Sequence, residues 1–338
     1  MFKKTAVALS TLMVLSGCQM TGSGVSAICT PDMAVPLATA QVESKSSDDR
    51  KVIVLPVDIS FEDSADKKLK AVMRNELESQ ISKTGSKLVD RKIANKLKDE
   101  IKLAEQSGRY NTKGVPIADY AIITEIIGSE LSKSHEEAHT ATNILTGDEY
   151  LVPASCSYNV DVTAVVKVVT LPEMSLVKRI ELDGDHSLKT DTRDSRCPIS
   201  AASYAGLASK AATESVDYNT ELQHLLAPTA PVIEVRQCKT GTMAKVGIGS
   251  EKNIQPNDKI EFATLIKNVE GEIETFPIGE GTVVDVPRNG IRSKYSWVGI
   301  SEEMSLKLHK GDAATVVPKE CSMWSLTEFE CGLKKAMK

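Results

Sequence analysis

The residues of this chain that could do chemistry by type and spacing are few. His135-Glu136-Glu137-Ala138-His139 fits the H-E-x-x-H pattern, in which two histidines four apart on a helix chelate zinc and the glutamate activates water. That chemistry needs a rigid apolar helix. Here Ser132, Lys133 and Ser134 precede the motif and Thr140, Ala141 and Thr142 follow it, so the segment reads as a solvated polar connection. No catalytic or metal-binding residue is assigned from it, and a zinc hydrolase using His135, Glu136 and His139 is the least favoured function. Gly247-Ile-Gly249 and Gly279-Glu-Gly281 open no helix, and Glu280 would repel a phosphate, so these glycines read as β-turn residues. No G-x-S-x-G nucleophile elbow is present, no cofactor is implied, and the chain reads as a non-enzyme.

The cysteines carry more. Leu15-Ser16-Gly17-Cys18 closes an apolar run of about ten residues from Ala6, behind Lys3 and Lys4, and it has the form of the lipobox read by lipoprotein signal peptidase. The run is too short for a membrane span, which needs about 20 apolar residues. Residues 1–17 are therefore expected to be a signal peptide, with Cys18 becoming the lipidated first residue of the mature protein. Gln19 follows where an aspartate would resemble the inner-membrane retention signal. The expected location is the outer membrane, lipid-anchored through the acyl chains on Cys18 and facing the periplasm.

Six of the seven cysteines remain, an even number in an oxidising compartment, and structural disulfides follow. Cys156 opens one strand of an expected hairpin and Cys197 follows the other, so antiparallel pairing predicts a Cys156–Cys197 bridge. Cys321 with Cys331 is a weaker pairing, which leaves Cys29 for Cys238.

Composition bounds the rest. The hydrophobic share of 41% and charged share of 26% are those of a globular chain, and roughly 320 mature residues suffice for two domains. A formal net charge of -5 with 4% aromatics supplies neither the basic stripe nor the stacking surface of a nucleic-acid binder.

The elements that must position these residues follow from periodicity. Residues 18–50 are small and polar and read as a flexible lipid-anchored tether, with Cys29 able to pin it to the body. The run Lys51 to Pro56 predicts a buried strand. Leu69, Val72, Met73, Leu77 and Ile81 then line a helix that Gly85 ends. Lys87 to Asp90 is a short strand, and Asp90 caps a second helix with Ile93, Leu97 and Ile101 as its apolar face. A strand from Ala118 to Ile127 follows. Two long strands, Ser155 to Thr170 and Ser175 to Leu188, form a hairpin that buries Val160, Val162, Ala164, Val166 and Val168 and leaves Asp161 and Lys167 on a wet face. A small-residue helix near Ile199 to Val216 closes the domain. Residues 225–231 read as a linker, and frequent turn signals over 232–318, with no convincing helix, predict a small β-barrel or sandwich, of which the barrel is preferred. Residues 319–338 are expected to be a disulfide-stapled tail. The fold class is α+β: an αβ sandwich over 51–224, then the barrel.

Val52-Ile-Val-Leu-Pro56, Leu88-Val-Asp-Arg91 leading into a helix, and Ala118-Asp119-Tyr120 opening a strand resemble, at this spacing, the curli-assembly lipoprotein family and its relatives with a TolB-like amino-terminal domain. The resemblance covers roughly residues 51 to 217. Ile254-Gln-Pro-Asn-Asp258 and Leu308-His-Lys-Gly-Asp312 resemble the carboxy-terminal barrel of flagellar assembly lipoproteins and accessory proteins. The resemblance implies a domain used in envelope machines through protein contacts, and no catalytic residues. The expected function is a scaffold or accessory factor for an envelope assembly, with envelope proteins as partners, no nucleic acid, and self-association left open. A curli-type secretion channel subunit is the alternative. It is disfavoured because Ser129 to Tyr150 carries Lys133, Glu136, Glu137, Asp148 and Glu149, and each charge near a bilayer midplane costs about 2–4 kcal/mol.

Overall fold

A computed structural model describes residues 34–107, 118–144, 146–172, 174–217, 219–238, 241–284 and 290–318. The lipobox Leu15, Ser16, Gly17 and Cys18, together with Cys29, Cys321 and Cys331, lies outside the described residues.

Strand β1 (Ala34–Val35) comes first, then β2 (Lys51–Val54), β3 (Asp58–Ile59), helix α1 (Asp66–Lys83), β4 (Lys87–Leu88) and α2 (Arg91–Ser107). Strand β5 (Tyr120–Glu136) leads to the small hairpin β6 (His139–Thr142) and β7 (Glu149–Val152), then to β8 (Ser155–Thr170) and β9 (Leu176–Asp191). Helices α3 (Ala201–Asp217) and α4 (Thr220–Leu225) end the first domain. Its sheet has the order β4-β2-β5-β8-β9, with β3 also on β5; β2 pairs in parallel with β4 and β5, while β5, β8 and β9 are antiparallel.

One sheet face packs on α1 and α3. Leu69, Met73, Leu77 and Ile81 of α1, spaced four apart, are fully buried with Ile122, Val160, Ala164 and Ala211. Val72, counted in that stripe from its spacing, is only half-buried. The other face is covered by α2 near β2 and β5, where Ile53, Leu55, Ala121, Ile123 and Val169 meet Ala94, Leu97 and Ile101. The helix is rotated from the expected face: Ala94 is buried and Ile93 is 42% exposed, because the contact follows an Ala94-Leu97-Ile101 stripe. Asp58 holds α2 in place through Lys98, at 2.6 Å, and Lys102. Consequently the face with Asp161 and Lys167 is wet only in part. Val165 and Val169 on it are buried, whereas Asp161 is exposed.

The second domain comprises β10 (Thr229–Cys238), β11 (Gly241–Val246), β12 (Lys259–Lys267), β13 (Ile273–Val283), β14 (Ser296–Ile300), α5 (Glu302–Lys307) and β15 (Ala313–Val316). The order β10-β11-β14-β13-β12-β15 closes through β10–β15 into a six-stranded antiparallel barrel around Phe262, Ile260, Val298 and Val246. The fold is thus α+β with a barrel. Three expectations need correction here. Pro231 is not linker but strand, opposite Ala313, so the connection from α4 is only three residues, 226–228. The barrel also holds a short helix, α5, whose amino end is capped by the Ser301 hydroxyl accepting from Met304 N at 3.2 Å. Gly279 and Gly281 are not turn residues; both lie inside β13, where a Cβ at Gly281 would come within 2.7 Å of Gly299 O.

The largest correction concerns the tether. Residues 34–50 are laid along the barrel. β15 leaves the outer edge of β10 bare past Pro231, and β1 fills it with Ala34 opposite Arg236 and Val35 opposite Val235. Backbone bonds of 2.8–2.9 Å then tie Ala38, Ala40 and Ser44 to Lys310 and Gly311. Polar composition hides this order, because the ordering is done by main-chain groups.

Candidate functional site

Two long neighbours set the far end of the sheet. β5 does not stop near Ile127; it runs on through Ser129 to Glu136, paired throughout with β8 from Val162 to Ser155. The polar segment expected to be a loop is therefore strand, its backbone satisfied by β8 whatever its side chains. Cys156 opposes His135 in this ladder and is bonded to Cys197, with both sulfurs buried and the Cα atoms 5.6 Å apart. The bridge holds residues 192–200 over the end of the sheet, where Tyr158 donates to Pro198 O at 3.0 Å. Cys238 ends β10 opposite Gly241.

The H-E-x-x-H residues are not gathered on one face. His135 and Glu136 are consecutive strand residues, so they point to opposite sides of the sheet. Glu136 binds Lys189 at 2.7 Å, and that ammonium holds its carboxyl below the ordinary range. His139 begins the next hairpin, 3.7 Å from Glu136. Among the described residues no three His, Cys, Asp or Glu side chains are placed to hold a metal ion.

Asp90 and Arg91 have structural duties. Asp90 accepts from Lys92 N at 2.8 Å at the start of α2, while Arg91 grips Glu78 and Asn75 of α1. Arg74 adds Glu78, Asn95 and the carbonyl of Val54 at 2.8–3.0 Å, tying both helices to β2. Elsewhere, burial raises the pKa of Glu76, and the neighbouring Asp217 carboxylate raises it further, with Gln80 bridging the two side chains. Desolvation likewise raises Tyr204, whose hydroxyl donates to Asp63 at 2.5 Å.

The domain junction is built around one lysine. Lys252 sits in a short turn after Gly249, and its side chain is 4% exposed. Its ammonium donates to Ser46 Oγ at 3.1 Å and lies 3.2 Å from Asp48. Burial lowers its pKa, and the charge of Asp48 opposes that. Ser47, one residue away, donates to Thr84 O at the end of α1. The strap of residues 46–48 is therefore held by the barrel on one side and the αβ domain on the other. A cleft of about 420 Å3, lined by Leu222, Leu226, Val316 and Gln80, opens beside Lys252. A larger one of about 1200 Å3, lined by Lys45, Arg50, Tyr120, His224 and Glu261, also lies between the domains. Periodicity could not find this junction, since a lysine in a Gly-Ser-Glu-Lys-Asn turn has the local pattern of a surface residue.

The open side of the sheet end is acidic. Glu130, Asp161 and Asp185 stand opposite one another across β5, β8 and β9, and exposed Asp183 lies two residues along β9. Beside this end the β6–β7 hairpin exposes Tyr150 (54%) and Leu151 (71%), with Ile144 in its connection almost fully exposed.

No family model matches the chain, and no curated protein matches it. Solved structures with some likeness include the lipoprotein GNA1162 from Neisseria meningitidis, at 13% identity over 47% of this chain and 93% of that one, with a TM-score of 0.22. A PelC dodecamer from Paraburkholderia phytofirmans is similar at 11% identity over 53% and 96%, TM-score 0.23. A minor lipoprotein from Acinetobacter baumannii gives 7% over 52% and 90%, TM-score 0.21. The Neisseria and Acinetobacter neighbours are described as lipoproteins, and none of the three is near enough to carry structure or function to this chain. Among the described residues no helix is long and apolar enough to cross a membrane.

Proposed function

We propose that this chain is a lipoprotein of the outer membrane, facing the periplasm, that serves as a non-enzymatic scaffold or accessory factor of an envelope assembly. The observation that carries the reading is the sheet end formed by β5, β8 and β9. It is a disulfide-held surface on which exposed Tyr150 and Leu151 stand beside a field of carboxylates, an aromatic and apolar contact next to charges that can select a basic partner. The lipobox at Cys18 supplies the anchor, and the resemblance to curli-assembly and TolB-like lipoproteins agrees with a place in an envelope machine. Charges at Glu130, Asp161 and Asp183 make the same surface costly to place in lipid.

The test is made on the full lipidated protein. It should fractionate with the outer membrane, lose that association in Cys18→Ser, co-purify with defined envelope proteins after crosslinking in cells, and conduct no ions in a planar bilayer. Reproducible single-channel currents, together with a ring that needs detergent, would show instead that the channel alternative is correct.

A further inference from the structure

The antiparallel ladder fixes which backbone groups of β9 point inward. Leu171 N donates to Asp119 O at 2.8 Å, so odd-numbered residues of β8 bond to β5 and even-numbered ones are left for β9. Thr192 N donates to Ala154 O at 2.8 Å, extending the even-to-even pattern past the end of the strand. In this register the odd residues of β9 present both N–H and C=O to the outside. Asn219 confirms the parity, because its side-chain amide donates to Glu181 O at 2.9 Å.

That contact also marks where the edge is covered. Asn219, and the ion pair of Lys178 with Glu221 at 3.1 Å, fold the start of α4 over the first part of β9. No strand among the described residues pairs with the edge from Asp183 to Asp191. Natural edges are covered, shortened, or blunted by proline or charge; this one is long and proline-free and is guarded only by the charges of Asp183, Asp185, Lys189 and Asp191, so a partner strand must match them. Side chains of its odd residues lie on the open face, where Asp183 and Asp191 are exposed and Asp161 and Glu130 follow on the adjoining strands. Those of its even residues lie on the other face, where Leu188 is 41% exposed.

We propose that the edge of β9 from Asp183 to Asp191 is a β-augmentation site for an extended segment of a partner protein with basic residues at alternate positions and apolar residues between them. Main-chain bonds to the outward groups of Asp183, Ser187 and Lys189 supply affinity. The basic side chains meet the carboxylates of the open face, and the apolar ones cover Leu188. This deepens the scaffold reading and rests on it.

The experiment uses the full lipidated protein in neutral detergent and a peptide of alternating lysine and valine, compared with a block-ordered peptide of the same composition and with alternating glutamate and valine. The alternating basic peptide should bind and slow amide exchange at Asp183, Ser187 and Lys189, while the other two bind at least about tenfold more weakly. Ser187→Pro removes an N–H that faces away from β8, so it should leave the melting temperature nearly unchanged and weaken binding about tenfold. Asp183→Lys should weaken it comparably, and that variant decides the matter with the exchange data if the proline variant fails to fold. Equal binding of the block peptide, or no exchange protection along β9, overturns the inference. So does a dimer of this chain that Ser187→Pro dissolves. If crosslinked envelope partners are the same for the parent and Ser187→Pro, the edge inference fails and the scaffold reading stands; no partner in either overturns the scaffold reading itself.

Discussion

Gly184 of β9 lies directly beneath α3, and the contact is between main chains. A Cβ there would stand 2.1 Å from Ala211 O, 2.5 Å from Ser215 N and 2.7 Å from Ser215 Cβ. None of these is the end of a flexible side chain, so Gly184→Ala must lift the helix or bend the strand. Overpacking a core costs about 1–3 kcal/mol, and a clash with helix backbone belongs at the upper end. For a domain of this size, about 3 kcal/mol corresponds to a fall in melting temperature of roughly 6–12 °C. Gly206 in α3 is the internal control, because a Cβ there meets nothing within 4 Å. Gly206→Ala should stabilise by about 0.5–1 kcal/mol through helix propensity alone. Urea unfolding followed by far-ultraviolet circular dichroism would show midpoints moving in opposite directions. A Gly184→Ala protein within about 0.5 kcal/mol of the parent would refute the close approach of α3.

Asp48→Ala leaves the Lys252 ammonium without its charged partner and should cost about 1–3 kcal/mol, whereas Lys252→Met should cost less, both read by denaturant midpoint. The raised pKa of Glu76 favours its protonated form in the folded state. Its stabilisation is therefore complete below the ordinary value of 4.5 and is lost as pH rises through the folded value, so Glu76→Gln should be neutral near pH 4 and stabilising at pH 7 in thermal melts. Asp58 behaves in the opposite sense. Burial would raise its pKa, Lys102 and Lys98 more than offset that, and the stabilisation lost by Asp58→Asn should shrink as pH falls below about 4. Reducing the Cys156–Cys197 bridge, which closes 41 residues, should cost roughly 4 kcal/mol, measured by unfolding with and without a thiol.

Residues whose burial follows a period were legible in the sequence. The stripe Leu69, Met73, Leu77 and Ile81 and the alternation Val160 to Val168 place α1 and β8 without a structure, and the β8–β9 hairpin brings Cys156 within reach of Cys197. Where main-chain bonding does the work, composition is silent. Ser129 to Glu136 is strand because β8 satisfies it, and 34–44 is ordered because the barrel offers it an edge. Lys252 was hidden for another reason: its burial is created by residues 46–48 and Gly85, remote in the chain, so no local pattern marks it. Ile93 and Ala94 show the limit of spacing alone, since two faces one residue apart fit the same period and only the docked sheet chooses between them.

The path of β1 decides at which pole of the barrel the described body begins. β10 starts at Thr229, three residues after α4, and runs about 33 Å to Cys238. Ala34 sits opposite Arg236, near the end of β10 remote from the αβ domain. The described body thus begins at the far pole of the barrel. Fifteen residues lie between Cys18 and Ala34, which caps the distance between those two at about 55 Å. If Cys18 carries the proposed lipid, the barrel edge at Ala34 is the part of the described body nearest the anchor along the chain. Tension applied at Ala34 would be borne first by the β1–β10 edge, then by Lys252 and Asp48, before it reached the sheet.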